Sequence, residues 1–349
     1  MFACYRKPLR LGWAAASGEQ LPGNDAGGLA LADPITLSGA VIHCSHWPVA
    51  ISPDGVTLDA SDATEFWAFA SIQSVSSYEK TVRFNGTLAF RAGSESLALD
   101  LARCLDQFRE LQPKRRADAI RKALDRSFDV DALNAEWSQF QKAVRPLAML
   151  SALPLAWLAV IAPAVVLLAG PLASWPYLLG GLLLAGLTVA MEFVRVHRKE
   201  VPQVSDRWLH AISMTLFPIA AIRAADRISR ERMAKFSPLA VVAVFCDAAA
   251  ADSLLRRFGF DLDRVAATPA ESPAAHCRRW YREEQRRSFR GLLTTLDRDP
   301  FAAPDREDDS VIAYCPRCHS QFQEGSTHCS DCDDLGLIAF AKAVSSTSA

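Results

Sequence analysis

An uncharged segment in the middle of the chain, residues 146–191, limits most strongly what this protein can fold into. It contains no Asp, Glu, Lys or Arg. Its length is about twice the roughly 20 residues that one helix needs to cross a bilayer. Gly170-Pro171 interrupts its middle, so we expect two helices, over about 147–169 and 175–194, joined by a short turn. The segment therefore predicts a transmembrane helical hairpin.

The alternative for this segment is a helical hairpin buried in a soluble domain. Soluble helices usually keep a polar face because one side meets water, and these two helices have none. Bilayer helices also tolerate proline better than soluble ones. The first helix carries three prolines in or at its ends, namely Pro146, Pro154 and Pro163. Both features favour the membrane.

The charges around the hairpin predict its orientation. Lys and Arg are frequent on both flanks, whereas the turn between the helices has no charge. Basic residues stay on the cytoplasmic side, so both termini are expected in the cytoplasm and Trp175 and Tyr177 at the far interface. Glu192 falls at the cytoplasmic end, within reach of water or Arg195. The N-terminus has no apolar h-region, so no cleavable signal peptide is expected.

Short alternating apolar runs precede the hairpin and predict about seven strands. Asp54-Gly55 and Asn85-Gly86 lie between such runs and are typical hairpin turns. A helix follows over residues 101–111. Its apolar face consists of Leu101, Leu105, Phe108 and Leu111.

Several antiparallel strands closed by one helix resemble a pleckstrin-homology-like domain over residues 36–112. In FWAFASIQSVSSYEKTVRFNGTLAFRAGSESLALDLARCLDQF, an aromatic strand runs into an I-x-S-V segment and a final strand leads into the helix, as in bacterial versions of that fold. The resemblance implies a β barrel or roll that binds or scaffolds. No Lys and Arg cluster suits a phosphoinositide head group, so that activity is not implied. Another small antiparallel sheet is the alternative.

Two features beside this domain have structural interpretations. His43, Cys44 and His46 lie within four residues, but no second cluster nearby completes a tetrahedral metal site. Residues 113–146 are highly charged and predict a helical stalk, interrupted near residue 128, with Asp131 as a candidate N-cap.

Residues 207–236 combine an apolar face with a basic second half. Trp208 opens this helix and Pro218 is expected to kink it. These features suit a helix in the headgroup plane. A third crossing is an alternative, although the uncharged part, 208–222, is only about 15 residues and short for a span. Docking against the soluble domains is another alternative.

The last predicted helix, about residues 274–296, is rich in arginine. Six arginines with Trp280 and Tyr281 are a pattern for contact with nucleic acid or anionic lipid. Glu283 and Glu284 partly neutralise it, and a solvated face is the alternative. The arginines are Arg278, Arg279, Arg282, Arg286, Arg287 and Arg290. The acidic segment that follows, 297–310, predicts a flexible linker that can dock loosely on this helix.

Four cysteines near the C-terminus form the most specific motif. Cys315-x2-Cys318 and Cys329-x2-Cys332 are two thiolate pairs, and each C-x2-C turn wraps one side of a tetrahedral ion. The surrounding unit has too little apolar bulk for a core, so the metal must supply folding energy, about 10 to 16 kcal/mol for structural zinc. Four Cys ligands close the shell, so the site is structural and not catalytic.

This segment resembles a short bacterial zinc ribbon over residues 311–341. The resemblance rests on the Cys315-Pro316-Arg317-Cys318 knuckle, Gly325 and a closing apolar strand. It implies structural Zn²⁺. One departure is Asp333, where such ribbons usually have Gly. Rubredoxin-type iron uses the same four thiolates and is the alternative. His319 and His328 flank the site and could serve as spare ligands, but four Cys suffice.

These patterns together predict a multidomain α+β membrane protein. We expect an irregular N-terminal segment (1–35), the antiparallel β domain (36–112), the stalk (113–146), the transmembrane hairpin (147–194), a helical cytoplasmic or interfacial region (195–296), the acidic linker (297–310), the zinc ribbon (311–341) and a disordered tail (342–349). This order resembles zinc-ribbon-tailed bacterial membrane proteins of uncharacterised function.

The sequence contains none of the common catalytic motifs, such as a P-loop, GxGxxG, HExxH or nucleophile elbow, and no small-molecule substrate is evident. The net charge of −1 gives no overall field for nucleic acid. We expect a non-enzymatic scaffold or adaptor of the bacterial inner membrane that contacts lipid and binds partner proteins through its sheet domain and ribbon. The alternatives are a nucleic-acid tether using the ribbon and arginine helix, and an iron-binding redox component.

Overall fold

The protein is a mixed α/β chain, mostly helical, with small antiparallel sheets. The computed structural model describes residues 35–37, 40–42, 49–59, 64–92, 95–202, 207–217, 224–225, 228, 232, 235–246, 248–266, 271–332 and 335–340. Several predictions fall outside these residues. They concern residues 1–34, the cluster at residues 43–46, the kink at Pro218, Asp333, and the tail after residue 340.

The described N-terminal strands pair antiparallel in separate sheets, β1-β2, β3-β4-β5 and β6-β7-β8. The strands are β1 (Ile35–Leu37), β2 (Ala40–Ile42), β3 (Val49–Ile51), β4 (Gly55–Asp59), β5 (Thr64–Ala68), β6 (Val75–Tyr78), β7 (Thr81–Phe84) and β8 (Thr87–Arg91). Among the described strands no pairing joins the two three-stranded sheets. The predicted closed barrel is therefore wrong.

Both predicted tight turns are present. Ser52 N donates to Gly55 O at 2.9 Å between β3 and β4. Between β7 and β8, Asn85 and Gly86 both have positive φ, 53° and 82°, as a two-residue hairpin requires. The Asn85 side chain also accepts from Gln73 N at 2.7 Å and donates to Ser71 O at 3.0 Å. It thereby holds the connection between the two sheets.

Ten helices are described between the sheets and the C-terminal strands. They are α1 (Glu95–Glu110), α2 (Pro113–Ser127), α3 (Val130–Leu150), α4 (Leu153–Ala156), α5 (Ala162–Ala169), α6 (Pro171–Glu200), α7 (Arg207–Leu216), α8 (Pro238–Phe245), α9 (Ala248–Ala266) and α10 (Pro273–Thr295). One wider π-helical turn, Trp157–Ile161, connects α4 to α5.

Two helices explain why the sheets need not close into a barrel. Helix α1 packs on β6 and β7, and α10 packs on β3, β4 and β5. The apolar faces of the strands are thus buried by helices, and Val56, Val82 and Phe84 are fully buried. Closing the strands into a barrel would bury the same apolar surface that the two helices already cover. We call residues 49–127 together with α10 the sheet module.

The contact between α10 and the sheet joins distant parts of the chain. The Cys277 thiol lies 3.4 Å from Ala50 O, and Thr57 Oγ1 donates to Ala274 O at 3.4 Å. Arg121 on α2 donates to Glu284 on α10 at 2.7 Å. Because these partners are separated by most of the sequence, no local pattern predicted the contact.

The stalk is two helices with a break at Phe128, as predicted, but the cap differs. Asp129 Oδ1 accepts from Ala132 N at 2.9 Å, so Asp129, and not Asp131, is the N-cap of α3. Leu133, Trp137 and Phe140 line the buried face of α3. This face packs against α6 and α8.

The uncharged segment folds as two antiparallel helical stretches that are joined by a turn at Gly170. Gly170 has φ +77°, a conformation that glycine adopts readily. The second helix begins at Pro171 rather than near residue 175, since proline fits the first turn of a helix. The Trp157 ring packs on Gly181, which leaves no room for a Cβ there, and Trp157 Nε1 donates to Leu178 O at 3.3 Å. The surface of the second helix at Gly181 is thus covered by Trp157 of the same chain.

Two stretches, Val130–Leu168 and Ala173–Glu200, are long and apolar enough to cross a membrane, by length and composition alone. In the most apolar part of each stretch, only 11% and 28% of the residues, respectively, are buried within the protein. Leu167 and Leu168, for example, are 86% and 89% exposed. Most of the uncharged stretch is therefore exposed in this structure, whereas Leu147, Val189 and Ala190 near its ends are buried.

Candidate metal centre

Short strands hold the C-terminal cysteines in place. They are β9 (Val311–Tyr314), β10 (Gln321–Gln323), β11 (His328–Cys329), β12 (Leu335–Gly336) and β13 (Ile338–Ala339). Strand β9 pairs with β10 and β13, and β11 pairs with β12. Cys315 follows β9 directly, and Cys329 ends β11. The two C-x2-C turns therefore begin at the ends of strands from the two small sheets, and the two turns lie close to each other. We call residues 311–340 the ribbon.

The four cysteines predicted as ligands lie together. The Sγ atoms of Cys315, Cys318, Cys329 and Cys332 are all within 4.8 Å of one another, and those of Cys318 and Cys329 are 3.7 Å apart. A tetrahedral ion with Zn–S bonds of about 2.3 Å requires S–S separations of about 3.8 Å. All four are free thiols. The group can hold a metal ion and is compatible with a zinc ribbon.

Backbone hydrogen bonds shape the first knuckle. His319 N donates to Cys315 O at 2.9 Å, and Cys315 N donates to Ser320 O at 3.0 Å. His319 has φ +63°, which turns the chain back after Cys318. Cys318 Sγ lies 3.2 Å from Ser320 Oγ. The knuckle is thus formed by the local chain.

The thiols differ in their acidity. Burial raises the pKa of Cys318, but its hydrogen bonds with Ser320, Cys315 and Cys332 lower it more, to about 7. Burial raises the pKa of Cys329 to about 11 and that of Cys332 to about 12. Cysteine ligands bind metals as thiolates, so loading releases protons.

An arginine of the knuckle connects the site to helix α9. Arg317 forms two hydrogen bonds with the Asp261 carboxylate, at 3.0 and 3.1 Å. Its Nη1 also lies 3.8 Å from Cys332 Sγ. Such contacts to a ligand from outside the coordination shell orient it. From its position in the motif, Arg317 was predicted only as part of the knuckle, and its partner Asp261 lies on a distant helix.

The two histidines flanking the site do not join the cysteine group. His319 Nδ1 contacts Arg256 on α9. Burial, and then the charge of Arg256, lower the pKa of His319 to about 4. His328 is exposed, and its Nδ1 lies 2.8 Å from Thr327 Oγ1. The structure therefore gives neither histidine the role of a spare ligand.

The acidic segment 297–310 contacts its neighbours at several residues. Arg298 pairs with Asp252 on α9 at 3.2 Å. The Phe301 ring occupies the space over Gly259, and Glu307 N donates to the Gln321 side chain at 3.0 Å. These contacts, together with Arg317, join the ribbon to α9, while most residues of the segment are exposed.

Three arginines of α10 form ion pairs at the surface of the protein, and a fourth is buried. Arg279 pairs with Glu283, Arg286 with Asp263, and Arg287 with Asp125. Arg282 is buried. Cations that are paired in this way are less available to a phosphate backbone, which is bound through free Lys and Arg side chains.

One face of the ribbon sheet is apolar and exposed. Ile312 and Ile338 are 46% and 45% exposed, on adjacent strands. Beside them the rings of Tyr314 and Phe340 are 4.9 Å apart, and the Arg306 guanidinium lies 5.1 Å from the Phe340 ring. The opposite face of β9 is buried. The exposed residues are a small aromatic and aliphatic patch, which we call the ribbon face.

Comparison with models of known protein families, with curated proteins and with solved structures finds no match for this chain. The resemblance to a pleckstrin-homology-like domain therefore rests on the residues alone, whereas that to a zinc ribbon rests on the residues and on the cluster of four cysteines.

Proposed function

We propose that this protein is a non-enzymatic scaffold of the bacterial inner membrane. Its hairpin (147–194) crosses the membrane twice, both termini lie in the cytoplasm, and a zinc-loaded ribbon binds a partner protein. The proposal is carried by the ribbon face, because Ile312 and Ile338 expose apolar surface on a unit that is itself fixed to α9. Exposed apolar surface on a rigid support is typical of sites that bind other proteins.

Three features support the membrane position. The exposed side chains of the hairpin are apolar over most of its length. The Glu192–Arg195 ion pair, at 2.6 Å, marks the charged end of α6. At the opposite end Trp175 and Tyr177 are exposed and suit the far interface, where aromatic residues are enriched.

The chemistry of the donor set supports zinc. Four thiolates select zinc or iron, and zinc favours a closed tetrahedral shell of this kind in structural sites. Elemental analysis of the purified protein, together with its visible spectrum, tests this. Zinc gives a colourless protein, whereas iron gives a red one and would favour the redox alternative.

The ribbon face is tested by affinity capture from the native host, with full-length protein solubilised in detergent. The variant Ile312→Asp places a charge on the ribbon face. The matched control is Leu88→Asp, which changes another exposed aliphatic residue on a three-stranded sheet. We expect a partner recovered with the wild type and with Leu88→Asp, and lost with Ile312→Asp.

Other outcomes separate the alternatives. A partner that is lost only with Leu88→Asp would assign binding to the sheet module. Nucleic acid recovered with the wild type and released at high salt would favour the tether, because counterion release makes such binding salt-dependent. Identical recovery from all three proteins would contradict a role for the ribbon face.

A further inference from the structure

Residues 207–232 lie between the hairpin and the last helices, and their course is restricted by contacts elsewhere. Helix α10 packs on the sheet module, with Cys277 against Ala50, and the sheet module precedes the hairpin. If the hairpin crosses twice, the chain leaves it on the side of the sheet module. The chain must also be on that side at α10. A single third crossing by residues 207–217 is therefore incompatible with this contact.

Helix α7 begins at the charged end of α6 and runs back along it. Arg207 Nη2 donates to Pro202 O at 2.6 Å. Three residues later, the His210 ring lies 6.4 Å from the Phe193 ring. Ala211 and Met214 are buried in the contact between the two helices. The helix thus points away from the charged end of α6 and toward its uncharged part.

By Arg232 the chain is back at the charged end of α6. Arg232 forms ion pairs with Glu136 on α3 and with Glu200 at the end of α6. Its Nη1 also donates to Glu200 O at 3.1 Å. Ile228, one turn earlier, is fully buried in the same core as Met214. Residues 207–232 therefore go out along α6 and come back.

The outward excursion is too short to cross a bilayer. A helix of about ten residues is about 15 Å long, half of the roughly 30 Å hydrocarbon core. Such a segment can enter one leaflet only.

The outer face of α7 is apolar and has no protein against it in the described structure. Thr215 Oγ1 is bonded within the helix, to Ala211 O at 3.0 Å, so its hydroxyl needs no water. The neighbouring helix α6 also exposes apolar residues, among them Leu184 and Leu187. The exposed residues of α7 and its end are Trp208, Leu209, Ile212, Leu216 and Phe217.

We infer that α7 enters the cytoplasmic leaflet from the charged end of α6 with its outer face seated among the lipid acyl chains, and that the chain is back at that end by Arg232. We call this out-and-back path the re-entrant hairpin. This inference rests on the proposed function, since it requires the hairpin to be in the membrane. It assigns the segment neither to a third crossing nor to a helix lying flat among the headgroups. The lipid contact comes from the apolar side chains, while Arg207 and Arg232 stay at the level of the headgroups.

Photo-crosslinking of the full-length protein tests the lipid contact. Benzoylphenylalanine replaces Phe217, Leu184 on α6 or Leu88 on the sheet module, and each protein is reconstituted in vesicles of phosphatidylcholine and phosphatidylglycerol. After irradiation we expect phospholipid adducts at positions 217 and 184 and none at position 88. Mass spectrometry of the peptides identifies the adducts.

The controls separate failure of the inference from failure of the proposed function. Adducts at position 184 but not at 217 would overturn the re-entrant hairpin and leave the membrane hairpin in place. The absence of adducts at both positions would contradict the membrane position itself. An adduct of position 217 with a second copy of the chain would also overturn the inference, by assigning this face to self-association.

A second measurement distinguishes the re-entrant hairpin from a helix in the headgroup plane. Trifluoromethyl-phenylalanine is placed at position 208 or 217 of the reconstituted protein, and a water-soluble gadolinium chelate is added. We expect the fluorine signal at position 208 to be lost at a chelate concentration that leaves the signal at position 217. Equal loss at both positions would mean equal depth and would overturn the inference.

Discussion

The sheet module and the ribbon have cores of different kinds. In the sheet module, Val56, Phe84 and Leu105 are fully buried among other apolar side chains. In the ribbon, the buried cluster consists of cysteines, with only Phe322, Leu335 and Leu337 partly buried against them. Apolar burial stabilises in proportion to its area, so a unit as small as the ribbon cannot rely on it. The difference predicts that the fold of the ribbon depends on a bound ion.

The largest expected effect is the removal of the metal ligands. Cys329→Ser leaves an incomplete shell, and the loss should approach a large part of the about 10 to 16 kcal/mol typical of structural zinc. We expect the bound metal to be lost and amide exchange to accelerate across residues 311–340, while β7 and α1 keep their protection. Elemental analysis and hydrogen exchange measure both.

Cys104→Ser is the matched control for this variant, since Cys104 is a partly buried thiol on α1 outside the cysteine group. It should retain the metal. Equal loss of protection in the ribbon and in the sheet module of Cys329→Ser would show that the two cores do not fold separately.

The second largest effect concerns the apolar core. Phe84 is fully buried, with the Trp67 ring 5.7 Å away and the Phe90 ring 6.4 Å away. Phe84→Ala should reduce the free energy of unfolding by about 3 to 5 kcal/mol, without changing the metal content. Leu88→Ala, at an exposed position, should change it by less than about 0.5 kcal/mol. Denaturant unfolding of the full-length protein measures both, and a loss of metal in Phe84→Ala would contradict the separation of the two cores.

A smaller effect is expected where α10 joins the sheet module. Glu284 is buried and accepts from Arg121 at 2.7 Å, and hydrogen bonds to charged groups contribute about 1.5 to 3 kcal/mol. Glu284→Gln should cost this much. Glu283→Gln, in the exposed pair with Arg279, should cost no more than about 0.5 kcal/mol. Equal effects in denaturant unfolding would mean that the buried pair does not hold α10 on the module.

The smallest effect is at the start of α3. Asp129→Ala removes the side chain that accepts from Ala132 N, and the loss of such a cap typically costs about 1 kcal/mol. Asp131→Ala should cost only a few tenths, because Asp131 interacts with the helix dipole alone. A larger loss for Asp131→Ala in thermal unfolding would restore the cap predicted from the sequence.

Features of this protein could be predicted from the sequence where the interacting residues lie close together along the chain. The ligands Cys315 to Cys332 lie in one short stretch, so their spacing predicted the cluster. The turns at Gly55 and Asn85 are also local, and both were predicted. The closed barrel was predicted wrongly because α10, which covers the sheet, is distant from it in the sequence. No local pattern predicts that contact. The contacts of the acidic segment were not predicted for a similar reason, since Phe301 packs on Gly259 of α9.

The sequence alone determined the features that depend on composition and short spacing. These are the uncharged helical pair, its turn at Gly170, the strands with their turns, and the four cysteines. The tertiary structure decided which surfaces are covered. It paired α10 with the sheet, tied Arg317 to Asp261, and folded α7 back along α6. Such choices depend on contacts between distant residues, where the free energy of packing the whole chain outweighs any local preference.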